Sequence, residues 1–238
     1  MKNKNLVTRH AKKALRAFIE KEYDAGADAV WRKTIKQYEA FANEMPDYGG
    51  KKSPHAGQIN DALILIAFCQ TAPKQYTIEE LEPLSFEIFM SAFHILGKVI
   101  SAKRKWTMDL LGQVFKKSIK KFNAHAKTYP ADFHGTILPY DKKLGVVKYS
   151  FDRCPIADFV KKNGLGKWLP LMCNCDHTAL RKIHAGLIRE GTCYTGEHCD
   201  FCIVPEDNPI MDQVELVRNE DGLLVSRRKN ELRSNTCP

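Results

Sequence analysis

The sequence predicts an α+β fold, in which a mainly helical N-terminal part packs on a C-terminal, largely antiparallel sheet with flanking helices. About the first 130 residues have helical periodicity, and after Tyr129-Pro130 the pattern changes to alternation and short segments. In addition, seven of the eight cysteines lie in the last 88 residues. We therefore expect a helical region over residues 1–130 and an α+β region over residues 131–238 that carries the functional site, together forming one compact unit.

The helical region is divided by clear breaks. Pro46-Asp47-Tyr48-Gly49-Gly50 is a strong break, and Thr77 with Glu80 three residues later has the form of a capping box. We expect the helix that follows this cap to be interrupted or restarted at Pro83. The predicted helices cover 6–22, 28–45, about 57–69, 77 to about 100, and a last helix that continues to about 127.

The second region opens with a strand signal, because residues 142–151 alternate after a glycine. Pro155 can begin a helix that ends at Lys162, before Asn163-Gly164. A further helical stretch is predicted over 168–184. Segments 187–194 and 199–204 then indicate a hairpin, and 214–217 indicate a last strand.

Composition restricts the class of protein and its compartment. The chain has 238 residues, of which 44% are hydrophobic, enough for a substantial core. No apolar run reaches the roughly 18 residues of a membrane span, and the basic start Met1-Lys2-Asn3-Lys4-Asn5 lacks the apolar stretch of a signal peptide. We therefore expect a cytoplasmic protein without a membrane partner, whose cysteines are reduced thiols or ligands rather than disulfides.

The net charge of +9 belongs to the helical half. Residues 1–150 contain 25 Lys and Arg against 15 Asp and Glu, whereas residues 151–238 contain 12 against 13. The lysines around 103–121 lie on one amphipathic helix, and the apolar residues Trp106, Leu110, Leu111, Val114, Phe115, Ile119 and Phe122 are expected on its opposite face. A solvated lysine face explains this pattern, so no nucleic-acid partner is predicted.

Four short motifs follow one another in the second region. They are Cys154-Pro155, then Cys173-Asn174-Cys175-Asp176, then Arg189-Glu190-Gly191-Thr192, and finally Gly196 with Cys199-Asp200-Phe201. In this order they resemble the motifs of the L-2-amino-thiazoline-4-carboxylic acid hydrolase family over roughly residues 145–205. The order of elements is also similar to 4-vinyl-reductase-type small-molecule-binding domains.

The resemblance implies a hydrolase that opens a thiazoline ring by adding water at the carbon between nitrogen and sulfur, giving an N-carbamoyl-cysteine-type product. It also implies the residues that would act. Asp176 would position water or share a proton, and Cys173 or Cys199 would attack as a thiolate if a nearby cation lowered its pKa. On the substrate side, Arg189 would bind the carboxylate through its fork, beside Thr192 and Cys154.

The chain departs from the family pattern at the expected site. Glu190 stands where the family has the first threonine of an Arg-Thr-x-Thr run, and Thr195-Gly196 replaces a Gly-Gly pair. Cys175, Cys193 and Cys202 are additional thiols. The substrate can therefore differ even where the chemistry is kept, and a non-catalytic small-molecule or metal-binding sensor domain is the alternative from another class.

A metal centre is the main rival interpretation of the thiols, since Cys173, Cys175, His177, Cys199 and Cys202 are ligands for zinc, or for an iron–sulfur cluster through the cysteines. The spacing opposes it. Residues two apart point roughly 200° apart on a helix, and Cys199 and Cys202 face opposite sides of a strand. We therefore expect no cofactor, and we expect Cys154, Cys173, Asp176 and Cys199 to surround a cavity that receives a small-molecule substrate.

Overall fold

A computed structural model of the protein describes residues 6–141 and 143–229. Helices come first and an antiparallel sheet follows with flanking helices, so the predicted α+β class is confirmed. The helices are α1 Arg9–Tyr23, α2 Ala27–Glu44, α3 Ala56–Thr71, α4 Ile78–Met90, α5 Phe93–Val99, α6 Lys105–Ala126, α7 Pro155–Lys162, α8 Pro170–Cys173, α9 Cys175–Lys182 and α10 Ile210–Gln213. The strands are β1 His134–Ile137, β2 Val147–Arg153, β3 Ala185–Ile188, β4 Cys199–Pro205, β5 Val214–Arg218 and β6 Leu224–Arg228.

Helix α3 is the centre of the helical region, because every residue from 59 to 68 is buried. Its two polar residues at this depth have partners, as buried polar groups require. Tyr38 donates a hydrogen bond of 2.8 Å to Asn60 Oδ1, and the backbone N–H of Thr8 donates one of 2.7 Å to Asp61 Oδ1. Apolar residues of this helix and of α7 and α8 belong to one hydrophobic cluster, which therefore extends into both regions of the chain.

The capping box at Thr77 and Glu80 is confirmed, but the expected interruption at Pro83 is wrong. Pro83 lies inside α4, where it removes a hydrogen bond to the carbonyl of Glu79. Because Glu79 is exposed, water can satisfy that carbonyl. The break comes later, between α4 and α5.

Helix α6 covers the sheet with a narrower apolar face than predicted. Trp106, Leu110 and Val114 are 54%, 47% and 49% exposed, which corrects their expected burial. These residues are four apart and form one stripe, whereas Leu111, Phe115 and Ile119 lie about 100° or more around the helix and face the protein. The predicted helix is therefore correct, but fewer of its apolar residues are buried than the sequence predicted.

The main sheet has the strand order β1-β2-β4-β3, with every neighbouring pair antiparallel. Strand β1 was not predicted, and Lys142, where the predicted strand begins, lies outside the described residues. The predicted hairpin is present, but its first strand ends at Ile188 rather than continuing to Tyr194, because the segment after Arg189 forms a turn. A separate two-stranded sheet, β5-β6, follows; β5 was predicted and β6 was not.

The long helix expected over 168–184 is two helices, α8 and α9, that meet at Asn174. The side chain of Asn174 donates a 3.1 Å hydrogen bond to the carbonyl of Gly222 and accepts one of 2.9 Å from the N–H of Leu224. The β5-β6 hairpin therefore holds this junction in place. Among the helices that the structure describes, none combines the length and apolar character needed to cross a bilayer.

Candidate active site

A cavity of about 270 Å³ lies between α6 and the main sheet. Its wall is formed by α6 and β2 on two sides, by β4 and the residue after β3, and by the junctions around α7, α8 and α9. The start of α3 contributes as well. Most of the lining is apolar, with the aromatic side chains Phe115, Phe122, Phe133, Tyr149, Phe151 and Phe201.

Five of the six predicted site residues line this cavity: Cys154, Cys173, Asp176, Arg189 and Cys199. Each stands at the end of an element, which is why separate motifs converge. Cys154 is the residue before Pro155, the first residue of α7, and Cys173 ends α8. Asp176 is in the first turn of α9, Arg189 directly follows β3, and Cys199 begins β4.

Thr192 is the predicted site residue that does not line the cavity. It is 1% exposed, and its hydroxyl lies 3.2 Å from the hydroxyl of Thr195. Its carbonyl accepts a 2.8 Å hydrogen bond from the N–H of Gly196. Thr192 therefore stabilises the turn that joins β3 to β4, and its position does not support substrate binding.

The polar centre of the cavity is an ion pair. Arg189 Nη1 donates to Asp176 Oδ2 over 3.1 Å, and Arg189 Nη2 donates to the carbonyl of Cys173 over 2.8 Å. The guanidinium also lies 5.6 Å from the centre of the Phe201 ring, within the range of a cation–π interaction. The Arg189 side chain is 1% exposed, while 26% of the Asp176 side chain remains accessible at the cavity.

Burial and the ion pair act on Asp176 in opposite directions. Removal from water disfavours the charged carboxylate and raises the pKa of Asp176, and Arg189 partly offsets this by stabilising the charge. A carboxyl group with a raised pKa takes up and releases a proton more readily near neutral pH than an ordinary aspartate. Asp176 is therefore suited to general acid–base chemistry.

Neighbouring segments fix the position of Arg189. Its N–H donates a 3.2 Å hydrogen bond to the hydroxyl of Ser226 in β6, and its carbonyl accepts one of 2.7 Å from the N–H of Ser226. Beyond it, Asp200 accepts hydrogen bonds from the N–H groups of Glu190 and Gly191, over 2.9 and 2.7 Å. The guanidinium is thus aimed at Asp176 by backbone contacts on both sides.

The thiols at the cavity do not meet the condition set for a thiolate nucleophile. Burial raises the pKa of Cys173, and the opposing effect of Arg189 is smaller. The neighbouring Cys193 and burial raise the pKa of Cys199, and burial raises that of Cys154. All three thiols are therefore protonated at neutral pH, and the expected lowering by a nearby cation is not found.

Other cysteines point elsewhere. The Cys175 thiol donates a 2.9 Å hydrogen bond to the carbonyl of Leu171 and lies 3.1 Å from Ser85 Oγ, away from the cavity, and burial raises its pKa to about 12. Of the cysteines in the described part of the chain, six carry free thiols, whereas Cys202 is disulfide-bonded, contrary to the expectation of reduced cysteines. Within residues 6–141 and 143–229, no group of three or more His, Cys, Asp or Glu side chains has an arrangement that could hold a metal ion.

Sequence reasoning missed a second polar part of the cavity. His55 precedes α3, and its ring centre lies 3.9 Å from that of Phe122 and 4.4 Å from that of Phe133. His55 Nδ1 is 2.9 Å from Gln58 Oε1, while Nε2 is buried and has no hydrogen-bond partner among the described residues. Burial lowers the pKa of His55, so the imidazole is neutral at neutral pH.

Comparison with known proteins gives one family. The model of a family described as L-2-amino-thiazoline-4-carboxylic acid hydrolase matches residues 57–203, more than half of the chain. No curated protein matches the chain, and no solved structure matches it either. The similarity to 4-vinyl-reductase-type domains therefore stays a prediction.

Proposed function

The chain belongs to the L-2-amino-thiazoline-4-carboxylic acid hydrolase family, and from this we propose that it opens the ring of a 2-amino-thiazoline-4-carboxylate or a close cyclic analogue. The observation that supports the proposal most directly is the Asp176–Arg189 pair in the wall of an aromatic cavity. Both residues lie within the matched part of the chain. A cavity of roughly 150 Å³ accepts a benzene ring, so a cavity of about 270 Å³ has room for one small ring with its polar substituents.

In the proposed reaction, the oxygen of water bonds to the ring carbon that lies between nitrogen and sulfur. Asp176 takes a proton from this water, and Arg189 keeps the carboxylate oriented toward the cavity. As the oxygen bonds, the electron pair of the carbon–nitrogen double bond moves to the ring nitrogen, which takes up the proton held by Asp176. The carbonyl then forms with loss of the remaining O–H proton to Asp176, the carbon–sulfur bond breaks with its electron pair on sulfur, and the sulfur takes up that second proton. The product is an N-carbamoyl-cysteine-type compound with one free thiol, and no electrons are exchanged with another reactant.

The raised pKa values of the cavity thiols limit what they can do. Cys173 and Cys199 line the same cavity as Asp176. A thiol with a raised pKa is both a weak acid and a poor source of thiolate, so we assign to these two residues neither the attack on the ring carbon nor the protonation of the departing sulfur. As neutral thiols they form part of the cavity wall, and the thiolate attack expected from the resemblance is not part of the proposed reaction.

The test is to incubate the protein with 2-amino-thiazoline-4-carboxylate and to measure thiol release together with product mass. We expect one thiol per substrate consumed and a mass increase of one water, also after dialysis against a chelator. Asp176→Asn is expected to remove this activity. Asp207→Asn, an exposed aspartate outside the cavity, is the matched control.

The second candidate is non-catalytic binding of a small molecule. The neutral thiols favour it, because neither Cys173 nor Cys154 is a thiolate nucleophile at neutral pH. A sensor of this kind would bind the same ligand and release no thiol. Binding in calorimetry without any product would therefore support the sensor and exclude the hydrolase.

A further inference from the structure

We propose that the carboxylate of the substrate binds at the His55–Gln58 end of the cavity, and that Asp176 at the opposite end receives the amidine nitrogens. This inference rests on the proposed function and adds the orientation of the substrate. It also assigns a binding role to two residues at the start of α3, of which His55 lies outside the segment matched by the family.

Aromatic rings separate the two ends of the cavity. The ring of Phe133 lies 4.4 Å from that of His55 and 5.6 Å from that of Phe151. The ring of Phe151 in turn lies 5.9 Å from that of Phe201, and the Arg189 guanidinium lies 5.6 Å from the centre of the Phe201 ring. In the proposed orientation, the small heterocycle lies among these rings and its substituents reach a polar group at each end.

The Arg189 end is poorly suited to a carboxylate. Within the described part of the chain, Arg189 is the one Lys or Arg side chain that lines the cavity. Its two terminal nitrogens already donate to Asp176 and to the carbonyl of Cys173, and only the buried Nε has no partner among the described residues. A second carboxylate there would lie beside Asp176 and be repelled by it.

The same end is suited to an amidine. Asp176 uses Oδ2 in its bond to Arg189, and part of its side chain remains accessible at the cavity. In a protonated 2-amino-thiazoline, both nitrogens bonded to the reactive carbon carry N–H groups. A carboxylate accepts such donors strongly, particularly when the amidine is protonated. This contact also brings the reactive carbon to the residue that activates water.

The His55 end offers donors for an anion. His55 Nε2 is buried without a partner in the structure as described, and Gln58 and Ser118 also line the cavity. The Gln58 amide can present either its oxygen or its nitrogen to His55 Nδ1, so the ring can carry its proton on Nε2 and donate it to a carboxylate.

Charged groups of both signs surround His55. Asp132 acts on it most strongly, followed by His125 and Lys121. The Asp132 carboxylate lies 2.8 Å from His125 Nδ1. The assignment therefore rests on the donor at His55 Nε2 and not on a net charge at this end.

The experiment compares two ligands, 2-amino-thiazoline-4-carboxylate and 2-amino-thiazoline without the carboxylate, by calorimetry and by kinetics. His55→Ala is expected to weaken binding of the first ligand about ten- to a hundredfold, the loss typical of a hydrogen bond to a charged group. It should leave binding of the second ligand unchanged. Its effect on turnover should be a higher KM with unchanged kcat.

Two further variants complete the design. His55→Gln retains a donor and is expected to fall between wild type and His55→Ala, and it serves as the variant should the alanine protein fail to fold. His198→Ala changes an exposed histidine outside the cavity and is expected to behave as wild type.

Equal weakening of both ligands, or no weakening of either, would overturn the orientation while leaving the hydrolase in place. Ligand-selective weakening without turnover would instead reject the hydrolase and retain the orientation. Absence of binding of both ligands to the wild-type protein would reject both.

Discussion

Asp176 Oδ2 and Arg189 Nη1 lie 3.1 Å apart, and the arginine is almost fully buried while the aspartate remains accessible to the cavity. This asymmetry decides the chemistry of the pair. The cation is fixed by backbone contacts and cannot leave, so it orients the carboxylate rather than serving as a ligand-binding fork. The carboxylate, whose pKa burial raises, is the member that can meet a substrate.

Replacement of the carboxylate tests its role directly. Asp176→Asn keeps the size of the side chain but removes the proton acceptor, so we expect turnover to fall by roughly 10²–10⁴-fold, the usual contribution of a general base. Thermal unfolding is expected at a lower temperature, because the buried Arg189 loses its counter-charge. Activity is therefore compared at a temperature where circular dichroism shows both proteins folded, and Asp207→Asn should retain full activity. Near-normal turnover by Asp176→Asn would assign proton transfer to another group.

The acid side of the pH–rate profile should report Asp176. The base must be deprotonated, so kcat/KM is expected to fall toward low pH with a midpoint above 3.8, the ordinary value for an aspartate. Arg189 lowers the pKa of Asp176, so Arg189→Met is expected to move this midpoint to higher pH. Arg189→Lys keeps the positive charge, so its midpoint should remain closer to that of the wild type. Identical pH–rate profiles for the wild type and both variants would show that Asp176 is not the titrating base.

How much of this site follows from sequence depends on how local each signal is. Cys154 could be predicted as a site residue because Cys-Pro marks the start of a helix. Asp176 and Arg189 could be predicted because they belong to motifs that follow one another in a recognisable order, at the ends of elements. His55 could not, since its neighbours Phe122 and Phe133 are more than 65 residues away in the chain. Ser226, which holds Arg189, was missed because residues 224–228 lack a clear alternating pattern.

The cavity thiols are expected to react slowly with alkylating reagents. Burial raises the pKa of Cys173 and Cys154, so the reactive thiolate is scarce at neutral pH. The native protein and the urea-denatured protein are each treated with iodoacetamide at pH 7.5 for the same time and examined by mass spectrometry. Cys173 and Cys154 should be unlabelled in the native protein and fully modified in the denatured protein. Labelling of Cys173 in the native protein at the rate of a free cysteine would restore the thiolate nucleophile.

The basic helical half is expected to bind duplex DNA only weakly. The lysines of α6 are exposed and the helix packs on the sheet through its other face, so the charge is explained by solvation. At physiological salt, fluorescence anisotropy should show weak binding that disappears as salt is raised. Tight or sequence-selective binding would instead favour a regulatory protein over a hydrolase.

His177 should make the protein sensitive to acid. It is 4% exposed, and its Nε2 lies 3.2 Å from the carbonyl of Leu224, a contact that joins α9 to β6. Burial first, and Arg189 second, lower the pKa of His177 from 6.5 to about 3, so the folded protein holds it neutral. Because the unfolded chain protonates it more readily, its stabilising contribution is complete above pH 6.5 and is lost as the pH falls toward 3, by about 1.4 kcal/mol per pH unit at most. Urea denaturation at a series of pH values should show this loss in the free energy of unfolding. Glutamine does not titrate, so His177→Gln should reduce the slope of the unfolding free energy against pH. An unchanged slope would mean that other groups cause the acid sensitivity.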